Sequence, residues 1–221
     1  MCGRYSLTTP LEALRRVFAF EGSPNLQPRY NIAPTQEAPV FRRHPDGRLL
    51  CHPLRWGLIP SWSKDMSGAA RMINARAETV AEKPAFRAAF ARRRCLVPAD
   101  GFYEWEKLEG GEKQPWRIVI GDSEPFAFAG LWERWEHPDE GRIDSYTIIT
   151  TEAAPSIANI HHRMPVILAE ADHASWLDAE AGADDLLPLL KPNARATGYR
   201  VSKRVGNVKN DDVELLADID A

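Results

Sequence analysis

Between residues 95 and 168, short apolar segments follow one another with almost no helix between them. The segments 95–97, 102–105, 116–120, 126–132, 146–151 and 165–168 each have strand length and are bounded by turn-forming residues. A parallel doubly wound sheet needs a crossover of a dozen or more residues, usually a helix, between successive strands. This stretch supplies none. The pattern therefore predicts an α+β fold: a curved, mixed or antiparallel, barrel-like sheet with short helices at its edges.

The rest of the chain fits that frame. Thr9, Pro10 and Glu12 read as a capped helix start, and Leu11, Leu14, Val17 and Phe18 follow at helical spacing to about Phe20. Residues 22–39, with four prolines, read as an irregular connection. Segments 40–43 and 49–56 read as a hairpin turning at His44-Pro45-Asp46-Gly47, and 84–93 as a second helix. Two short helices (172–177, 184–190) and a strand (199–202) complete the expectation. At 221 residues, with 44% hydrophobic and 27% charged residues, the chain suits one domain over 1–221, with 211–221 as a candidate acidic tail. No apolar run approaches the roughly 20 residues that span a bilayer, and no secretory signal is visible, so the expected setting is cytoplasmic. Three widely spaced cysteines argue against a disulfide framework or a zinc site. Residues 1–104 carry 16 Lys+Arg against 9 Asp+Glu and the remainder 12 against 22, a bias compatible with a polyanion partner but not diagnostic of one.

Cys2 is the most informative residue. It is small and directly follows the initiator methionine, the context in which Met1 is normally removed. A terminal cysteine carries an α-amine and a thiol on adjacent carbons, with ordinary pKa values near 7.7–8.0 and about 8.5. Such an amine attacks an aldehyde to give a Schiff base, and the thiol closes it to a thiazolidine. The same pair also serves acyl transfer. Other polar groups supply what a nucleophile needs. Asn74, Arg76 and Glu78 fall on one side of an extended segment by the period of two. Glu104 lies between Tyr103 and Trp105 after a glycine turn, an environment expected to raise its pKa and suit it to proton transfer. His161, His162 and Arg163 precede a strand. Singly, each has a plainer account as a core amide, a strand-end acid or a capping imidazole.

Seven motifs in order carry a resemblance: Met1-Cys2-Gly3-Arg4-Tyr5, Arg29-Tyr30-Asn31-Ile32-Ala33-Pro34-Thr35, Trp56-Gly57-Leu58-Ile59-Pro60-Ser61-Trp62, Ile73-Asn74-Ala75-Arg76-Ala77-Glu78, Gly101-Phe102-Tyr103-Glu104-Trp105, His161-His162-Arg163-Met164-Pro165 and Val205-Gly206-Asn207-Val208-Lys209-Asn210. Together they resemble the SOS response-associated peptidase (SRAP) family, from residue 2 to about 215. The resemblance implies a sensor of abasic sites in single-stranded DNA, including single-strand–duplex junctions. In such a sensor the terminal cysteine traps the ring-opened sugar aldehyde as a covalent thiazolidine crosslink that shields the lesion. It implies catalytic roles for Cys2, Asn74, Glu104 and His161, with His162 in support. DNA contacts are expected from Arg4, Asn31, Pro39, Trp62, Arg76, Trp105, Thr150 and Arg163. No cofactor or metal is expected, the partner is abasic DNA rather than a membrane, the chain is expected to be a monomer, and DNA binding would place it on the nucleoid.

Readings from other classes stay open at this point. One is an N-terminal-nucleophile hydrolase, glutamine amidotransferase-like, whose downstream motifs this chain lacks. Another is a peptidase acting on other proteins, and a third is a non-catalytic single-strand binder. A glutaminase assay, a peptide assay and the salt resistance of a DNA adduct separate them.

Overall fold

The computed structural model describes residues 2–221. Thirteen strands run in chain order. The first half holds β1 (Tyr5–Leu7), β2 (Arg29–Ile32), β3 (Glu37–Arg43), β4 (Leu49–Trp56), β5 (Asn74–Arg76) and β6 (Arg94–Ala99). The second half holds β7 (Gly101–Lys107), β8 (Lys113–Ile120), β9 (Phe126–His137), β10 (Gly141–Glu152), β11 (Arg163–Pro165), β12 (Ile167–Leu168) and β13 (Ala196–Arg200). The principal helices are α1 (Leu11–Phe18) and α2 (Arg87–Arg92), and no helix is long and apolar enough to cross a membrane.

The strands form a five-stranded sheet, in the order β13-β8-β7-β1-β2, and an eight-stranded one. In the second sheet β9 pairs with both β6 and β10, β10 with β4, β4 with β3, and β3 with β6. Those strands close into a ring, which removes their exposed edges. The ring is filled by large side chains. Tyr5 reaches in from β1 and meets Trp56 and Phe128 edge-on at centroid distances of 5.2 and 5.7 Å, and its hydroxyl lies 2.7 Å from that of Tyr146. The expected α+β class with a barrel-like core is what the chain adopts.

Several local expectations are corrected. Helix α1 ends at Phe18 and has no side-chain cap. The Thr9 hydroxyl instead donates to Asp100 Oδ2 at 3.1 Å, alongside the Thr9 N–H at 2.9 Å and the Thr8 hydroxyl at 2.9 Å. Ser6 Oγ donates to the other carboxylate oxygen at 2.6 Å, and the buried Arg117 completes the shell at 3.4 Å. These bonds clamp β1 to the start of β7. Gly101 is required beside the carboxylate, because a Cβ there would lie 2.8 Å from the Arg117 guanidinium. The proline-rich connection contains β2 and the first residues of β3; prolines are tolerated at such positions where no ladder donor is needed. Segment 211–220 is no free tail. Asp211 accepts from the Asn31 N–H at 3.0 Å and pairs with Arg29 at 2.8 Å, and Leu215 is fully buried.

Candidate active site

The site forms where the two sheets meet. From the five-stranded sheet, β1 and β7 run antiparallel with Tyr5 opposite Phe102, and the Tyr103 N–H donates to Arg4 O at 3.0 Å. This lays residues 2–4 alongside Glu104. From the larger sheet, β10 holds β5 on one side, with Thr150 opposite Arg76, and β11 on the other, with Thr150 opposite Pro165.

Cys2 is fully buried. Asn74 Nδ2 donates to its carbonyl oxygen at 2.8 Å, and Asn74 Oδ1 is buried with no partner among the described residues. Burial, with the charge of nearby Glu104 adding to it, pushes the Cys2 thiol well above its ordinary range. The resting sulfur is therefore a protonated thiol.

Glu104 is 3% exposed, and burial pushes its pKa up to about 7. The expected rise is present, but its source differs from the one anticipated. The period of two turns Glu104 to the face of Phe102, which belongs to the main core, while Tyr103 and Trp105 face a small cluster with Val201, Val205 and Leu215. Desolvation by the core, rather than the flanking rings, holds the carboxyl near neutrality.

His161 Nδ1 lies 4.0 Å from Glu104 Oε1 and accepts from the Arg163 N–H at 3.0 Å. The same Nδ1 lies 3.1 Å from the Arg163 carbonyl oxygen, so the main chain of Arg163 anchors this edge of the ring. Burial lowers the His161 pKa, so the ring is neutral at pH 7. His162 stacks on it with centroids 4.4 Å apart, which fixes the ring plane.

The expected DNA-contact residues divide. Trp62 is 68% exposed, on a loop that starts at Gly57. Gly57 has φ +120°, and a Cβ there would strike Ala69 O at 2.7 Å, so only glycine permits that exit from β4. Arg76 is exposed at the end of β5. Arg163 is held bidentately by Glu78 at 2.5 and 3.0 Å and donates to Thr150 O at 2.7 Å. Thr150 is fully buried, so it supports that arginine. Arg4 gives its guanidinium to Val205 O at 2.7 Å, Gly206 O at 3.2 Å and Asn31 Oδ1 at 3.1 Å. Asn31 is tied into the scaffold. It is 1% exposed, and its amide donates to the carbonyls of Val205, Asn207 and Asn210. Pro39 sits in β3 opposite Pro53, beside a groove shared with Leu26 and Cys51. Trp105 is half-buried against its cluster.

Glu78 is the contact that sequence periodicity misassigned. Strand β5 ends at Arg76 and residues 77–79 form a 3-10 turn, so Glu78 leaves the Asn74 face and meets Arg163 across 85 positions of sequence. Its presence in the same motif as Asn74 was the only signal.

The fold and site define a class: an α+β barrel-and-sheet protein that seats a near-terminal cysteine against an amide, a carboxyl and an imidazole. The chain belongs to the SRAP family, described as SOS response associated peptidase, whose family model matches residues 1–208. It is 42% identical to the abasic site processing protein YoaM of Bacillus subtilis, across 98% of this chain and 97% of that one. It is 33% identical to the abasic site processing protein HMCES of Rattus norvegicus, across 100% of this chain and 76% of that one. A crystal structure of a protein from Bacteroides thetaiotaomicron superposes with a TM-score of 0.87 at 27% identity, covering 98% of this chain and 99% of that one.

Proposed function

We propose that this protein processes abasic sites in single-stranded DNA by capturing the lesion covalently on Cys2 once Met1 has been removed. The observation that carries the reading is the seating of Cys2: its carbonyl is held by Asn74 at 2.8 Å while the carboxyl of Glu104, with a pKa of about 7, faces the same residue electrostatically.

The chemistry follows from those groups. Abasic deoxyribose is mostly a closed hemiacetal, so an acid–base group must open it before capture. His161, a neutral imidazole beside Glu104, suits that step. The α-amine lone pair then attacks C1 of the aldehyde to give a carbinolamine. Glu104 takes the amine proton and returns it to the departing hydroxyl, so water leaves and an imine remains. A carboxyl near pH 7 is matched to both halves of that transfer. The Cys2 thiol adds across the C=N bond, sulfur to carbon and proton to nitrogen, closing a thiazolidine with no oxidant or reductant. Burial keeps the thiol protonated until then, which sets the order: amine first, sulfur second. A lesion without a base enters such a pocket at low unstacking cost. Trp62 offers an exposed face for a neighbouring base, and Arg76 and Arg163 offer cations for the backbone.

The test is a denaturing gel with mature protein and a single strand carrying one abasic site, beside Cys2→Ala and an intact-base strand. A shifted band only with Cys2 and the abasic strand is the expected result. No band, with Met1 shown absent by mass spectrometry, overturns covalent capture.

A further inference from the structure

The opposite end of the barrel carries a feature that abasic capture does not use. Asp144 and Thr150 both lie on β10, and at about 3.3 Å per residue they stand about 20 Å apart along the strand. Thr150 belongs to the Cys2 end. At the Asp144 end, β3, β4, α2, β6 and β9 frame a cavity of about 660 Å³ whose walls include Arg42, Arg43, Arg92, Arg94 and Arg134 around the edge of Trp132. That volume falls in the range of small-molecule sites.

The charges in the cavity are unequally compensated. Asp144 serves Arg42 at 3.0 Å and Arg134 at 3.0 Å, and also the neighbouring Arg142 at 3.1 Å. Arg42 lies flat over the Trp132 ring at 4.4 Å. Arg43 and Arg92 are exposed and form no ion pair among the described residues. Arg94 is only 5% exposed, and its hydrogen bonds all go to main-chain carbonyls, those of Phe90 at 2.6 Å, Ala91 at 2.7 Å, Trp176 at 2.7 Å and Asp178. Burial lowers the Arg94 pKa, yet a guanidinium titrates so high that it stays protonated at neutral pH. Arg43 and Arg92, without ion-pair partners among the described residues, and Arg94, whose charge Asp178 partly offsets, thus line one concave surface, and arginine forks match the oxygens of a phosphate.

We propose that this cavity is a second anion site that takes a phosphate group, either a free nucleoside phosphate or a phosphodiester of a nucleic acid strand. It is independent of the chemistry at Cys2. The ligand places its phosphate between Arg43 and Arg92, with Arg94 supplying fixed positive charge from the cavity wall.

Calorimetric titration of the full chain near physiological ionic strength tests this with three probes: inorganic phosphate, a deoxynucleoside 5′-monophosphate and a short intact-base single strand. The variant is Arg43→Glu with Arg92→Glu, both exposed and so compatible with folding. A control, Lys107→Glu with Lys191→Glu, makes the same change in net charge elsewhere on the surface. The expected result is saturable binding weakened at least about tenfold in the arginine variant and not in the control, with capture at Cys2 unchanged. Loss with the free phosphates identifies the nucleotide source, and loss with the strand alone identifies the phosphodiester. Equal loss in the control, or no difference from the parent with any probe, overturns the proposal.

Discussion

Cys2 and Cys95 are both fully buried, and burial pushes both thiols far above their ordinary range. Their surroundings differ in kind. Cys95 sits in a close-packed wall: a Cβ on Gly130 would come within 2.8 Å of its sulfur, and the Trp176 indole N–H donates to its carbonyl at 3.0 Å. Cys2 meets an amide, and close by stand a carboxyl and an imidazole. Burial alone makes a sulfur inert packing. In the proposed capture, chemistry at Cys2 draws on the polar groups that the two sheets deliver beside it, with the amine acting before the buried thiol.

The widest separation between the two cysteines is expected on substitution by alanine. Cys2→Ala should abolish adduct formation completely, whereas Cys95→Ala should leave the adduct formed. Stability does not separate them, since each truncation leaves a void at a fully buried site and should cost about 1–2 kcal/mol. A Cys2→Ala protein that still gives a denaturation-resistant adduct would break the comparison.

Glu104→Gln comes next. It keeps the shape and removes the proton carrier, so the capture rate should fall on the order of 10²- to 10⁴-fold. The parent rate should rise with pH through about 7, as Glu104 deprotonates, and the variant should lose that inflection. Stability should move the other way. The folded state holds this proton to a higher pH than the unfolded chain does, so between the ordinary carboxylate range and about 7 the folded form binds more protons and stability falls as pH rises. Above pH 7 the glutamine variant should therefore gain stability, by up to about 3 kcal/mol. A pH–rate profile and a pair of denaturation curves at pH 5 and 8 check both signs.

Much of this comparison was legible in the chain. Position 2 marked the cysteine, and the strand run 95–168 marked the fold. The glycine turn and the rings beside Glu104 marked the carboxyl, although its environment comes from the core face it shares with Phe102. What stayed hidden depended on distant partners. Thr9 looks like a helix cap until Asp100, far away in sequence, claims its hydroxyl. Asn31 looks like a contact residue until three carbonyls from the 205–210 turns saturate its amide. Closure of the ring through β9 and β10 leaves no local trace, since a long hairpin reads the same in an open sheet. The basic bias of the first half was visible, but its gathering at one end of the barrel follows from β3, β6 and β9 lying side by side.

Asn74→Ala should have a smaller effect than Glu104→Gln. It removes one donor to the Cys2 carbonyl, a hydrogen bond worth about 1 kcal/mol, so capture should slow by about fivefold with the pH inflection unchanged. A loss as large as that of Glu104→Gln would give Asn74 a direct part in proton transfer. It would also assign a use to its buried Oδ1, an acceptor with no partner among the described residues.

The smallest expected effect lies at Glu78. Its carboxylate grips Arg163 from a position that is half exposed, and a pair of that kind is worth about 0–1 kcal/mol in solvent. Glu78→Gln should therefore leave the urea midpoint nearly unchanged. Arg163, however, also anchors the His161 ring through its main-chain N–H at 3.0 Å, so a loosened arginine reaches the imidazole through its own backbone. The capture rate should fall only a few-fold, and the fall should deepen as salt screens what remains of the Arg163 contacts. A variant with unchanged rate at every salt concentration would show that Thr150 alone holds Arg163 in place. A variant that slowed as much as His161→Ala would show that the orientation of the imidazole depends on this exposed pair.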